Sequence, residues 1–312
     1  MVVWDMVEAD SGHQKTLLQY TQIMTELQNA NPIASPQAEE NPDRLDEQHI
    51  HTTATLGFLI HPNIGPIPSI SKIADIGTGT GIWLLDVAKT LPPACQLTGF
   101  DVSASAFPRS ESLPQNISFR IQDFTLPFPA SDIGTYNIVA VRFVSVATPR
   151  EEWARSIRNL VTLLKPGGWL QWIDSCNFRL YNSVPGTSRA ACMEIYDGLD
   201  SWRTGEDVVI GMMMREAGNL GREDVFRQCG LVGVHEDVFS TDRLQDPGLR
   251  LREKGTRNAL DCFTQCLESL IQVEGSGWSL ERLERVRREA AKEVDEGAYH
   301  LLDHVCIVGR KP

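Results

Sequence analysis

The sequence predicts an α/β fold, built on a seven-stranded, mostly parallel sheet with helices on both faces. Two observations lead to this class. Short apolar runs of strand length recur at residues 72–76, 96–102, 117–121, 136–141 and 169–174, with turns or helical patterns between them. The composition, 42% hydrophobic and 22% charged residues over 312 residues, is that of an ordinary globular protein with a large core.

The first strand, residues 72–76, runs into a glycine-rich turn and a helix. Gly77, Gly79 and Gly81 stand at alternate positions before an apolar helical pattern at 82–91. Glycines let the backbone approach a ligand closely, and such a ligand lies over the free N–H groups of the helix N-terminus. A dinucleotide loop reads G-x-G-x-x-G, whereas this one reads D-x-G-x-G-x-G. Its acid, Asp75, would repel a pyrophosphate and favours a ligand with cationic groups, such as the ammonium and sulfonium of S-adenosylmethionine.

The second strand ends in an acid, and another acid follows the third strand. Asp101 lies roughly twenty residues beyond Gly77, where a βαβ unit returns a carboxylate to a ribose diol. The strand at 117–121 leads into Asp123 and Phe124, an acid for an adenine amine and a ring for its face. The alternative is that both acids cap a helix or a turn and that Phe124 is a core residue.

The remaining segments predict helices around this sheet and three parts of the chain. Residues 1–62, with helices at 15–28 and 45–59, form a lid or alternatively only cover the sheet. Residues 63–178 form the cofactor-binding core, with a helix at 151–164 and a turn at Lys165-Pro166-Gly167-Gly168. Residues 179–312 supply substrate-covering helices and the last two strands. Those helices are expected at 188–202, 206–218, 222–228, 249–273 and 280–296, and the strands at 231–240 and 304–308.

Taken together, these pieces resemble a Rossmann-like, class I S-adenosylmethionine-dependent methyltransferase. A narrower likeness is to the methyltransferases of fungal secondary metabolism, a group that includes small-molecule enzymes and relatives of a global regulator. It covers about residue 40 to the end. The segments that carry it are Asp43 to His49, Ile60-His61-Pro62, Ile73 to Asp86, Gly99-Phe100-Asp101 and Gly309 to Pro312.

Strand positions and the resemblance together indicate the site residues. S-adenosylmethionine is expected to contact Asp75, Gly77, Thr78, Gly79, Gly81, Asp101, Val102, Asp123, Phe124 and Arg142. His49 and His51 are the candidate catalytic bases, and His61 and Asp174 are further candidates. The substrate is expected to contact Phe143, Trp202, Met213 and Met214. The fifth strand ends in Asp174 without a histidine, so the resemblance does not supply a general base.

Three functions are compatible with these residues. The first is methyl transfer to oxygen, nitrogen or sulfur of a small-molecule acceptor by in-line displacement. The second is a cyclisation or rearrangement in which the cofactor is bound but not consumed, since no clear base is present. The third is a non-catalytic regulator.

Charge and cysteine content limit the possible partners. The net charge of −12 disfavours nucleic acid, because phosphate binding needs a basic face. The seven cysteines are odd in number and scattered, which indicates reduced thiols and no metal site. The sequence shows no signal peptide and no membrane span. We therefore expect a cytoplasmic protein, monomeric or homodimeric, that acts on a small molecule.

Overall fold

The computed structural model describes residues 42–109, 111, 113–144, 150–203, 222–244, 250–272 and 275–312. The helices predicted at 15–28 and 206–218 therefore lie outside the described residues. Within the described ranges, none of the helices combines the length and the apolar character that crossing a membrane requires.

The described strands form one seven-stranded sheet in the order β3-β2-β1-β4-β5-β7-β6. The strands are β1 (Lys72–Ile76), β2 (Gln96–Asp101), β3 (Ile117–Ile121), β4 (Tyr136–Arg142), β5 (Leu164–Asn182), β6 (Val232–Ser240) and β7 (Ala298–Arg310). The first five pair in parallel, and β7 runs antiparallel to both β5 and β6. This topology confirms the predicted fold class.

Seven α-helices surround the sheet within the described ranges. They are α1 (Pro42–Leu56), α2 (Ile82–Thr90), α3 (Arg150–Leu163), α4 (Ala190–Arg203), α5 (Arg222–Gln228), α6 (Leu251–Glu268) and α7 (Leu280–Asp295). The N-terminus of α7 is capped by Ser279. Its hydroxyl accepts a hydrogen bond of 3.1 Å from the Arg282 amide, which satisfies a free N–H of the first turn.

Strands β5 and β7 are longer than the runs predicted at 169–174 and 304–308. They pair with each other in an antiparallel ladder that continues to Asn182 opposite Ala298, and the Tyr181 and Tyr299 rings stack at 6.0 Å. The added residues of β5 are largely polar and give no apolar alternation. The predicted turn at 165–168 is an irregularity inside β5, where Gly167 has φ +79°.

Packing on the two faces of the sheet determines where the polar residues of the strands point. On one face, α2 packs through Trp83 and α1 packs through Leu56. On the other face, α3 packs through Ile157 against alternate residues of the same strands. Neighbouring residues of a strand point to opposite faces. Asp75 and Arg142 therefore lie on the face that α1 and α2 cover.

Candidate functional site

The glycine loop between β1 and α2 has the conformation that its sequence predicts. Gly77 and Gly81 have φ of +66° and +72°, in the region that residues with a side chain rarely occupy. A Cβ at Gly77 would lie 2.7 Å from Val144 Cγ1, and one at Gly81 would lie 2.3 Å from the Phe119 ring. Gly81 is also the residue that precedes the first turn of α2. The loop is thus held close to its neighbours, with the helix N-terminus at its end.

Asp75 and Arg142 form a buried pair at the carboxyl ends of β1 and β4. Thr78 Oγ1 donates a hydrogen bond of 2.8 Å to Asp75 Oδ2, while Arg142 Nε lies 3.9 Å from Asp75 Oδ1. Among the described residues, Asp75 Oδ1 and Arg142 Nε have no hydrogen-bond partner although both atoms are buried. Burial raises the pKa of Asp75 to about 6, against the opposing effects of Arg142 and Thr78. The pair thus offers one acceptor and one donor, which suits the ammonium and the carboxylate of an amino acid.

Asp101 lies beside the glycine loop at the end of β2. Its Oδ2 accepts a hydrogen bond of 2.9 Å from the Gly79 amide, and its Oδ1 accepts one of 3.2 Å from the Ser103 amide. Each carboxylate oxygen can accept a further bond. The next residue, Val102, is 63% exposed and presents an apolar surface beside that carboxylate. This geometry is compatible with the predicted ribose contact.

Asp123 and Phe124 are engaged in local contacts after β3. The Thr125 amide and the Thr125 hydroxyl both donate to Asp123 Oδ1, at 2.8 and 2.7 Å. The Phe124 ring packs at the edge of the apolar cluster under α3. The alternative that Asp123 stabilises a turn therefore describes the bonds seen here, and the adenine contact remains a prediction for both residues.

His49 connects α1 to α2 and to Arg142. Arg142 Nη1 lies 3.3 Å from His49 Nδ1, and His49 Nε2 lies 2.9 Å from Asp86 Oδ2. Because a guanidinium only donates, Nδ1 must accept and Nε2 must carry the proton that is shared with Asp86. Burial and the Arg142 charge lower the pKa of His49. Both nitrogens are thus engaged, which is the arrangement of a positioning residue.

Helix α1 also contacts the glycine loop directly. Thr80 Oγ1 donates a hydrogen bond of 2.6 Å to Asp46 Oδ1. The Leu45 side chain lies 3.1 Å from where a Cβ at Gly79 would be placed. The helix therefore covers the glycine loop, and its role as a lid stays a prediction.

His51, the second candidate base, faces a different part of the molecule. Its ring lies against Gly255 of α6 and makes an edge contact with the His304 ring at 6.0 Å between centroids. Burial lowers the pKa of His51 to about 4, so the imidazole is neutral at physiological pH. Phe143, predicted to contact the substrate, meets the same His304 ring at 5.6 Å.

The two further base candidates are held in structural contacts. His61 Nε2 pairs with Asp237 Oδ2 at 2.9 Å, and its amide donates to Gln171 Oε1 at 2.7 Å. Trp172 Nε1 donates to Asp174 Oδ2 at 2.8 Å. Because Trp172 packs in the cluster under α3, Asp174 points away from α1 and from the Asp75–Arg142 pair. The alternation of side chains along β5 therefore places Asp174 on the other face of the sheet, in contact with Trp172, and its role as a base stays a prediction.

Three of the residues predicted to contact the substrate lie outside the described side chains. Trp202 belongs to α4, but its side chain lies outside the described part of the chain, as do Met213 and Met214. Sequence reasoning also missed His304 and Ser175, which are brought together by the register of β5 and β7. No sequence motif marks this pair, since they lie 129 residues apart.

Metal chemistry receives no support from the part of the chain that is described. Its His, Cys, Asp and Glu side chains form no group of three or more that could hold a metal ion. None of the six cysteines whose side chains are described forms a disulfide.

Comparison with known proteins shows that this chain is similar to methyltransferases. A family model described as a methyltransferase domain matches residues 73–168. The chain is 31% identical to the N-methyltransferase sirN of Leptosphaeria maculans over 86% of this chain and 91% of that one. It is 28% identical to the N-methyltransferase tcpN of Claviceps purpurea over 83% of this chain and 92% of that one. It is 36% identical to the methyltransferase grgD of a Penicillium species, over 88% of this chain and 94% of that one.

Proposed function

This chain belongs to the class I S-adenosylmethionine-dependent methyltransferases, and from that membership we propose that it methylates a nitrogen of a small-molecule acceptor in fungal secondary metabolism. The choice of nitrogen is supported by two of the three relatives above, which are named N-methyltransferases. The sequence likeness to secondary-metabolism enzymes supports the class of acceptor.

The observation that carries the proposed cofactor position is the Asp75–Arg142 pair. Its two unpartnered buried atoms lie beside the glycine loop, under the lid helix. Asp75 Oδ1 would accept from the ammonium of the methionine moiety, and the Arg142 guanidinium would donate to its carboxylate. Occupation of the pair satisfies two buried polar groups that otherwise cost free energy.

The rest of the cofactor would lie along the ends of β2 and β3. Asp101, fixed by the Gly79 and Ser103 amides, would hold the ribose diol, and Val102 would lie beneath the adenosine. Asp123 and Phe124 would flank the adenine. We also propose that residues 1–62 act as the lid through α1, and that the helices of 179–312 form the wall of the acceptor site.

Methyl transfer from this cofactor requires mainly that the donor and the acceptor are held in position. When bound, S-adenosylmethionine would supply an activated methyl group: the acceptor lone pair would form the new N–C bond, the S–C bond would break, and the sulfur would be left as a neutral thioether. Asp75 and Arg142 fix the donor, while α1 excludes water from the glycine loop. A neutral amine needs no strong base, which agrees with His49 having both nitrogens engaged and with Asp174 facing the opposite side of the sheet.

Calorimetry with S-adenosylhomocysteine tests the cofactor site. We expect Asp101→Ala to bind at least about tenfold more weakly than wild type, because hydrogen bonds to a carboxylate each contribute about 1.5–3 kcal/mol. Glu284→Ala, at an exposed acid of α7, is the matched control and is expected to bind like wild type. Equal affinity in wild type and Asp101→Ala contradicts the proposed position.

Mass spectrometry tests the reaction. Wild type is incubated with S-adenosylmethionine and a panel of small-molecule amines, amides and phenols. A gain of one methyl group on nitrogen is the expected result. A product of unchanged mass with an altered skeleton would instead identify the cyclisation or rearrangement that the scarcity of bases also allows.

A further inference from the structure

His304 lies just beyond the proposed donor site on the same face of the sheet. Arg142 pairs with Ile173 of β5, and Ile173 pairs with Cys306 of β7. Two residues further along, Ser175 pairs with His304. Because directly paired residues and residues two apart share a face, His304 lies on the face of Arg142. It is displaced from β4 by two strand spacings, about 10 Å.

Phe143 joins the two places. It follows Arg142 directly, has a left-handed backbone with φ +54°, and its amide donates to the Ile173 carbonyl at 3.0 Å. Its ring meets the His304 ring edge-on at 5.6 Å. The chain thus passes from the proposed methionine-binding arginine to the His304 contact within one residue.

The hydrogen bonding of His304 is incomplete. Its Nδ1 lies 3.1 Å from Ser175 Oγ, but its Nε2 is buried with no hydrogen-bond partner among the described residues. The residue is only 2% exposed. A buried polar atom without a partner costs free energy, and such atoms are rare in folded proteins. Burial, with a smaller contribution from His51, lowers the pKa of His304 to about 3, so the ring is neutral and keeps one lone pair.

We propose that His304 Nε2 is a hydrogen-bond acceptor for the N–H group of the acceptor substrate, with Ser175 as its positioning residue. In this arrangement His304 Nδ1 donates to Ser175 Oγ, so the lone pair is on Nε2. The acceptor nitrogen is then held by its proton, and its own lone pair is free to face the methyl group. The Phe143 and His51 rings make edge-on contacts with the His304 ring. This inference rests on the proposed function, because it places the acceptor beside the proposed donor site.

Sinefungin is a suitable probe, because the acceptor itself is unidentified. In this analogue of the cofactor, a carbon bearing an amine replaces the sulfonium and its methyl group, so its N–H groups point from the donor site toward the acceptor. S-adenosylhomocysteine has no such amine. Calorimetry of both compounds measures the ratio of their dissociation constants. We expect wild type to bind sinefungin about tenfold more tightly than S-adenosylhomocysteine.

His304→Phe is expected to reduce this preference to about one while leaving the affinity for S-adenosylhomocysteine within about twofold of wild type. His300→Phe is the matched control, because His300 is equally buried on the same face of β7 but about 13 Å further along the strand. It is expected to retain the wild-type preference.

Ser175→Ala provides a second, smaller change if His304→Phe does not fold. It is expected to reduce the sinefungin preference severalfold, since Nδ1 loses the contact that fixes the tautomer. The ¹⁵N chemical shifts of His304 report which ring nitrogen is protonated, and we expect Nδ1–H. The proposal for His304 is overturned if His304→Phe and Ser175→Ala both prefer sinefungin over S-adenosylhomocysteine as strongly as wild type does. Failure of wild type to bind either compound overturns the proposed function instead.

Discussion

The carboxylate of Asp75 is an ionisable group without a water-facing side. It is fully buried, its pKa is raised from 3.8 to about 6, and its nearest cation, Arg142 Nε, is 3.9 Å away. A ligand that brings an ammonium to Oδ1 interacts with the ionised form only. Ligand binding and the ionisation of Asp75 are therefore linked.

This linkage predicts how cofactor affinity depends on pH. Above about pH 6 Asp75 is ionised in the free protein and binding is at full strength. Below it, a proton must leave before the ammonium can bind, so the affinity for S-adenosylhomocysteine falls by up to about tenfold per pH unit. Calorimetry between pH 7.5 and 5 measures this slope.

Two variants test whether Asp75 causes the pH dependence of the affinity. Asp75→Asn cannot titrate and is expected to bind weakly with little pH dependence over the same range. His49→Gln removes the neighbouring imidazole but retains Asp75, so its affinity is expected to keep the wild-type slope. A slope that disappears in His49→Gln and persists in Asp75→Asn would contradict the assignment.

Replacing glycine by alanine tests how tightly the glycine loop packs against Phe119. Gly81 and Gly134 both have positive φ, +72° and +66°, but a Cβ at Gly81 meets the Phe119 ring at 2.3 Å whereas one at Gly134 meets nothing within 4 Å. Gly134→Ala is expected to cost about 1–2 kcal/mol for backbone strain. Gly81→Ala is expected to cost a further 1–3 kcal/mol or so for the collision. Denaturant unfolding of both measures the difference, and equal losses would show that the ring moves aside.

Helix α1 connects the glycine loop to the region around His304 and α6. Leu45 and Asp46 lie over the glycine loop, His49 contacts α2 and β4, and His51 lies against α6. Residues 49 and 51 are two positions apart in a helix, so they point to opposite sides. One helix thereby contacts both the glycine loop and the region around His304.

The contact between α1 and α6 predicts a coupled pair of substitutions. A Cβ at Gly255 would lie 2.3 Å from His51 Nε2. Gly255→Ala is therefore expected to destabilise the protein by about 1–3 kcal/mol, although alanine is the better helix former. In a His51→Ala background the same change is expected to stabilise by about 0.5–1 kcal/mol, because only the helix propensity remains.

Thermal and denaturant unfolding of the four proteins in this cycle measure the coupling. An effect of Gly255→Ala that has the same sign and size in both backgrounds would show that His51 does not constrain α6. Agreement with the expected change of sign would locate the constraint in this one contact.

At the scale of the whole molecule, local sequence patterns predict the parallel part of the fold well. The run from Lys72 to Gly81 predicts β1, the loop and α2, because strand burial, positive φ and helix amphipathicity all leave marks on adjacent residues. The same sequence pattern predicts S-adenosylmethionine as the cofactor, which agrees with the family of the chain. Individual contacts of Asp101 and Asp123 remain predictions.

The antiparallel part is less predictable for a physical reason. The length of β5 and β7 depends on their pairing with each other, from Trp169 opposite Arg310 to Asn182 opposite Ala298. Such pairing joins residues more than 100 positions apart, and no local pattern encodes it. The contact of Ser175 with His304 depends on that register, which is why it could not be predicted from the sequence.

The split of the sheet into a parallel and an antiparallel half has a consequence for substitutions. The glycine loop beside the proposed donor site is compact, because a Cβ at Gly77 or Gly81 would collide with a neighbouring side chain. The β5–β7 ladder lies outside that loop, so under the proposed function a substitution along it can alter the acceptor site while the glycine loop stays unchanged. Substitutions along the ladder near Ser175 and His304 are therefore the first to test for a change in the proposed acceptor preference.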